Sequence, residues 1–276
     1  MLLKKLLKNK LSIVVAAAII LVSCMGGNKP ASDQQTVKDS LSKNEISKDV
    51  KEIVYPLPTP FEITKMLNDI GAKYVASSLN PAEKADKYFT EKNKAVNLGV
   101  YGADLAYAAT YTQKQDVELY SKALKTLIDG LGINIDYSAM LSDNFKQKVN
   151  NKDTLTKIVT NTFFDTYKYL NEKSNPDLAI MMASGMWIEL MYIATHISED
   201  TYQNTDLVRI IVKQKDSYSK LLKLLNDREA NKDIKDLETK LLVIKPVFDK
   251  VESGLKENDY LLILKTIQSV RKSIVS

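Results

Sequence analysis

The chain has one cysteine, Cys24, one histidine, His196, and one tryptophan, Trp187, in 276 residues. A lone cysteine excludes an intramolecular disulfide and any CxxC motif, so the fold must draw its stability from its core. A lone histidine excludes the two-histidine zinc motifs and the paired Glu-x-x-His signature of di-iron bundles. No Walker loop, Gly-rich dinucleotide loop or nucleophile elbow is present. Runs of alternating polar and apolar residues, the mark of half-buried strands, are also missing. Positive charge is not clustered either. The net charge is +5, but Lys4, Lys5, Lys8 and Lys10, unopposed by any acid before Cys24, supply four of those charges and leave +1 on the rest. Nucleic-acid binding needs a basic face that this chain does not offer.

What the chain does have is apolar material, 45% of its residues against 26% charged, which is ample for a sizeable core. The first part of that material is an address. The four lysines precede an apolar run from Leu11 to Val22, too short to span a bilayer comfortably, followed by Ser23 and Cys24. Leu21-Val22-Ser23-Cys24 resembles the lipobox of bacterial lipoproteins, a resemblance that implies cleavage before Cys24 and lipid attachment to it. In that family an aspartate directly after the cysteine favours inner-membrane retention. The residue here is Met25, which implies the outer membrane and leaves open which side of it the body faces. Residues 1–23 thus read as a lipoprotein signal peptide. Residues 24–54, polar from Met25 onward, read as a flexible tether, and a chain of that length has an end-to-end distance of about 30 Å.

Residues 55–276 read as a single all-α domain. Tyr55-Pro-Leu-Pro-Thr-Pro60 is extended by its prolines and marks the boundary. Thr59-Pro60, Asn80-Pro81 and Asn175-Pro176 each pair a capping residue with a proline, the combination that opens a helix. Hydrophobic periodicity predicts helices over 60–71, 81–92, 94–112, 114–130, 138–149, 153–173, 176–197, 205–227, 231–254 and 258–275, with Gly130 and Gly132 available for left-handed caps and Pro246 predicting a kink or break just before it.

The two halves repeat each other. Ile63-Thr-Lys-Met-Leu67 echoes Leu155-Thr-Lys-Ile-Val159, and Lys87-Tyr-Phe-Thr-Glu-Lys-Asn93 echoes Lys168-Tyr-Leu-Asn-Glu-Lys-Ser174. In the same order, Asp104-Leu-Ala-Tyr-Ala-Ala-Thr110 echoes Glu189-Leu-Met-Tyr-Ile-Ala-Thr195, and the stretch from Tyr120 to Leu127 echoes that from Tyr218 to Leu225. Units of about 60–135 and 152–230, followed by a C-terminal helical pair over 231–276, are expected. Two units are too few for an open solenoid, so the expectation is one closed, pseudo-symmetric bundle. The phrases LGVYGADLAYAATY and SGMWIELMYIAT also resemble a group of all-helical bacterial lipoproteins without an assigned activity. That resemblance implies a fold and carries no substrate or catalytic residue with it.

The candidate site lies on the two central helices. Asp104, Tyr107 and Tyr111 fall on one stripe of the first, and Glu189, Tyr192 and His196 on the matching stripe of the second. A carboxylate on an apolar helix face must be paired or hydrogen-bonded. One reading makes Asp104 and Glu189 structural ties between the halves. The other makes them the floor of a polar pocket, with Tyr107, Tyr111, Trp187, Tyr192 and His196 around it, that holds a cation or small polar ligand or supports acid–base chemistry. No catalytic set, metal site or cofactor is predicted. Asp227, Glu229, Asn231, Asp233 and Glu238 have partial EF-hand spacing, but Lys232 stands where the loop needs glycine. The methionines Met181, Met182, Met186 and Met191 suit core packing or an adaptable groove. The sequence therefore predicts a lipid-anchored envelope protein whose body binds a protein or small polar ligand. Its alternative is an enzyme or ligand-binding protein centred on Asp104 and Glu189.

Overall fold

The computed structural model describes residues 57, 59–142, 145, 151–198, 201–228, 230–251 and 255–276. Cys24, the signal peptide, the tether and most of the proline-rich boundary lie outside the described residues. Among these residues there are helices and no strand. In chain order the helices are α1 (Pro60–Asp69), α2 (Glu91–Thr110), α3 (Lys114–Gly130), α4 (Ser138–Leu141), α5 (Lys152–Lys173), α6 (Pro176–His196), α7 (Thr205–Val212), α8 (Lys215–Asn226), α9 (Lys232–Leu242), α10 (Lys245–Lys250) and α11 (Glu257–Val275). The all-α class is as the periodicity predicts.

Several helix starts are set by asparagine. Asn151, Asn175, Asn204 and Asn231 each accept a backbone N–H of the first turn through their side chains, and Thr90 does the same for α2. The Asn80-Pro81 start is different. Asn80 makes no cap, and only a 3-10 segment, Ala82–Lys87, follows it where an α-helix over 81–92 is expected. The asparagine is drawn inward instead, donating its side-chain amide to Tyr88 Oη at 3.0 Å and its backbone N–H to Asp104. A tertiary contact has outcompeted the local cap signal. The expected helix 205–227 is interrupted between Val212 and Lys215, and the helix 231–254 ends at Leu242, before Pro246. Three helices rather than a pair thus follow Asn231. Gly132 takes the left-handed conformation with φ +64°, while Gly130 is the last residue of α3.

Helices α2 and α6 form the centre and share the most extensive contact in the body. Both are buried almost all round, as their small and aromatic residues require. Helix α6 is apolar and long enough to cross a membrane, yet 94% of that apolar window is buried inside the protein. The four methionines Met181, Met182, Met186 and Met191 are all core residues.

Two glycines set the approach of the central pair. A Cβ on Gly99 would overlap the Met182 carbonyl oxygen and sit 2.7 Å from the Met186 amide nitrogen. A Cβ on Gly185 would overlap the Val96 carbonyl oxygen. Each central helix therefore places a glycine against the other's backbone. The two helices run parallel, because contacts advance along both together, from Val96 and Gly99 against Met182, Gly185 and Met186 to Asp104 against Glu189.

Gly102 lacks this constraint. Its nearest neighbour for an added Cβ is the Phe163 ring at 3.6 Å, beside a cavity of about 20 Å³. Gly102→Ala is therefore expected to raise stability by up to about 1 kcal/mol through helix propensity. Chemical denaturation would register this as a higher midpoint at unchanged slope.

Candidate functional site

Glu189 on α6 and Asp104 on α2 are both fully buried, and the structure brings them together. The cation beside them was not singled out from the sequence: Arg271, on α11. Its Nε donates to Glu189 Oε2 at 2.6 Å and its Nη2 to Glu189 Oε1 at 2.7 Å, a fork-to-fork pair. Nη2 also donates to the Ser78 carbonyl at 3.1 Å, and the guanidinium lies over the Tyr192 ring, 3.9 Å from its centroid. The ion pair is almost completely enclosed, with the Arg271 side chain 12% exposed and that of Glu189 0%.

Two carboxyl groups meet one guanidinium here, so the cluster is short of positive charge. Asp104 Oδ2 accepts the Asn80 N–H at 3.3 Å, while Oδ1 meets no protein donor. Burial and then the neighbouring Glu189 charge hold the Asp104 carboxyl well above its ordinary pKa, with Arg271 opposing. Burial also raises Glu189, but the hydrogen bonds and charge of Arg271 stabilise its ionised form. The proton of the pair therefore belongs on Asp104, from which it is donated to Glu189, and Glu189 carries the charge that Arg271 neutralises.

Asp104 binds its proton more tightly in the fold than in the unfolded chain. Its contribution to stability is complete below the unfolded pKa of about 3.9 and is lost as pH rises through the elevated folded value. Asp104→Asn copies the protonated form, with an –NH2 to donate to Glu189 and a carbonyl to accept from Asn80. It is expected to leave the melting temperature at neutral pH equal to or above that of the parent and to flatten its decline toward alkaline pH. A series of melts between about pH 5 and 9 checks this, and a steeper decline in the variant would contradict the assignment.

The other predicted residues divide into groups. Tyr192 belongs to the cluster, carrying Arg271 on its face and stacking on His196 with ring centroids 4.0 Å apart. His196 Nδ1–H donates to the Tyr192 carbonyl at 3.0 Å, and burial lowers the His196 pKa, so the ring is neutral near pH 7. Tyr107 and Tyr111 pack with Tyr74 in an aromatic group of their own, where Tyr107 Oη donates to the Lys73 carbonyl and accepts the Val75 N–H. Trp187 lies on a different face of α6 from Glu189 and packs on Tyr218.

Charges in the partial EF-hand segment are used elsewhere. Asn231 caps α9, Asp233 pairs with Lys92 at 2.6 Å and Glu238 with Lys235 at 2.9 Å, while Glu229 is outside the described residues. No cluster of three or more His, Cys, Asp or Glu able to hold a metal occurs among the described residues. Two cavities lined by described residues, the one beside Gly102 and one of about 80 Å³ between Lys92, Met181, Leu237 and Ile274, do not reach Asp104 or Glu189. Chemically, then, the cluster is a buried cation seat whose cation is supplied by the chain itself. Comparison with known proteins finds no matching family model, no matching curated protein and no matching solved structure.

Proposed function

We propose that the chain is a lipid-anchored protein of a bacterial cell envelope, attached through Cys24 and carrying an all-helical body that binds an envelope protein or a small polar ligand without catalysing a reaction. The observation that carries this reading is Leu21-Val22-Ser23-Cys24 at the end of an apolar run preceded by lysines, using the single cysteine of the sequence. Met25 in place of aspartate favours the outer membrane. The non-catalytic part of the reading is supported by the carboxylates themselves. Arg271 and the Asn80 N–H occupy them, and the guanidinium stands where the enzyme or cation-binding alternative would need a substrate or ion.

Cys24→Ser tests the anchor. The parent is expected to fractionate with membranes and to yield a mature N-terminal peptide, beginning at Cys24, whose mass carries acyl chains. The variant should be found in the soluble fraction or retain its first 23 residues. Equal membrane association of the two, with no acyl mass on the parent peptide, would overturn the proposal.

A further inference from the structure

The parts of the cation seat have an unequal origin. Glu189 and Tyr192 lie on α6, Asp104 lies on α2, and Ser78 lies in the 3-10 segment Ala76–Ser78. None of these belongs to α11, which contributes only the occupant. The two helices that make the seat are held together independently of α11, by the backbone contacts at Gly99 and Gly185. The receptor half and the ligand half of the contact thus sit on separate elements.

The seat also recognises more than charge. A carboxylate engages two N–H groups of a planar fork at 2.6 and 2.7 Å, a carbonyl takes a further N–H bond at 3.1 Å, and an aromatic face covers the plane at 3.9 Å. An ammonium ion has neither the fork nor the plane to use these features. Solvent reaches the edge of the seat along the Arg271 side chain, the one member of the ion pair that is not fully enclosed.

We propose that Glu189, Tyr192 and Ser78, backed by Asp104, form a guanidinium-binding site, filled in cis by Arg271, which takes up a free alkylguanidinium when that side chain is removed. Helix α11 then acts as a tethered ligand that keeps the site closed. An arginine presented by another molecule would enter only by displacing it. This inference concerns the helical body and is independent of whether Cys24 is acylated.

The test uses the full chain with Arg271→Ala, melted in increasing methylguanidinium, with methylammonium and urea as matched controls and the parent protein alongside. Methylguanidinium is expected to restore most of the lost melting temperature in a saturable manner, methylammonium and urea to restore none, and the parent to gain nothing because its seat is full. If R271A is unfolded alone, the same titration is read as recovery of helical circular dichroism. The double variant E189Q/R271A, which lacks the anionic fork acceptor, should lose the rescue. Absence of rescue, equal rescue by methylammonium, or rescue that persists in E189Q/R271A would each overturn the proposal.

Discussion

Arg271→Ala is expected to destabilise the protein by about 3–5 kcal/mol, which for a body of this size lowers the melting temperature by about 10 °C. The loss is large because of what is left behind. Glu189 is fully buried and receives both of its strong donors from this one side chain, so truncation leaves a carboxylate with no cation and beside a second carboxyl group. The Ser78 carbonyl and the Tyr192 ring lose their partner in the same step, and α11 loses one of its ties to α6, the Tyr260 Oη bond to the Thr195 carbonyl remaining. Arg271→Lys should fall between the two, since an ammonium supplies charge but cannot reproduce the planar fork. Thermal unfolding followed by far-ultraviolet circular dichroism measures the difference. A loss below about 1 kcal/mol, the range of exposed ion pairs, would mean that the pair does not hold the bundle.

Gly99→Ala and Gly185→Ala are each expected to cost about 3 kcal/mol, against an intrinsic helix propensity that favours alanine by about 1 kcal/mol. Geometry decides the sign. The added methyl meets a backbone carbonyl in both cases, and a carbonyl within a helix cannot rotate aside as a side chain can. The central helices must separate along their most extensive contact, which slackens the Asp104–Glu189 pair further along the same seam. The double variant should lose less than the sum of the singles, because the first methyl has already opened the space that the second needs. Denaturant titration of the four proteins measures both effects, and Gly102→Ala on the same helix serves as the internal control, with its opposite expected sign.

Much of this architecture can be read from the residues. Small and aromatic residues on nearly every side of 99–111 mark a helix buried all round, and the matching block around Glu189 identifies its companion. Asn175-Pro176 opens α6, and the helix before Pro246 stops ahead of it. What could not be read was decided by tertiary contact. Asn80-Pro81 has a strong helix-start signature, but the Asn80 N–H is used by Asp104 and its amide by Tyr88, so the segment tightens into a 3-10 turn.

Arg271 was hidden for another reason. In the charge-rich ending VRKSIV an arginine resembles one more solvated surface residue, although the buried Ile263, Ile267 and Val270 place it beside the apolar stripe of its helix. Two carboxylates predicted on buried faces were the missing signal: they require a cation, and an arginine in phase with an apolar stripe can provide it. The pocket reading was too generous to Trp187. It lies two residues from Glu189, hence on another face, and it packs on Tyr218 instead of joining the cluster.

Glu189 and Arg271 neutralise each other inside the bundle, next to a protonated Asp104. A double-mutant cycle on Glu189→Gln and Arg271→Met tests this pairing. Each single variant disrupts the charge pairing, whereas the double variant removes both charges, and the introduced side-chain amide can still accept the Asp104 proton through its carbonyl oxygen. Strongly destabilised single variants are expected, with a double variant more stable than their sum by about 2–3 kcal/mol. Losses that simply add would contradict it.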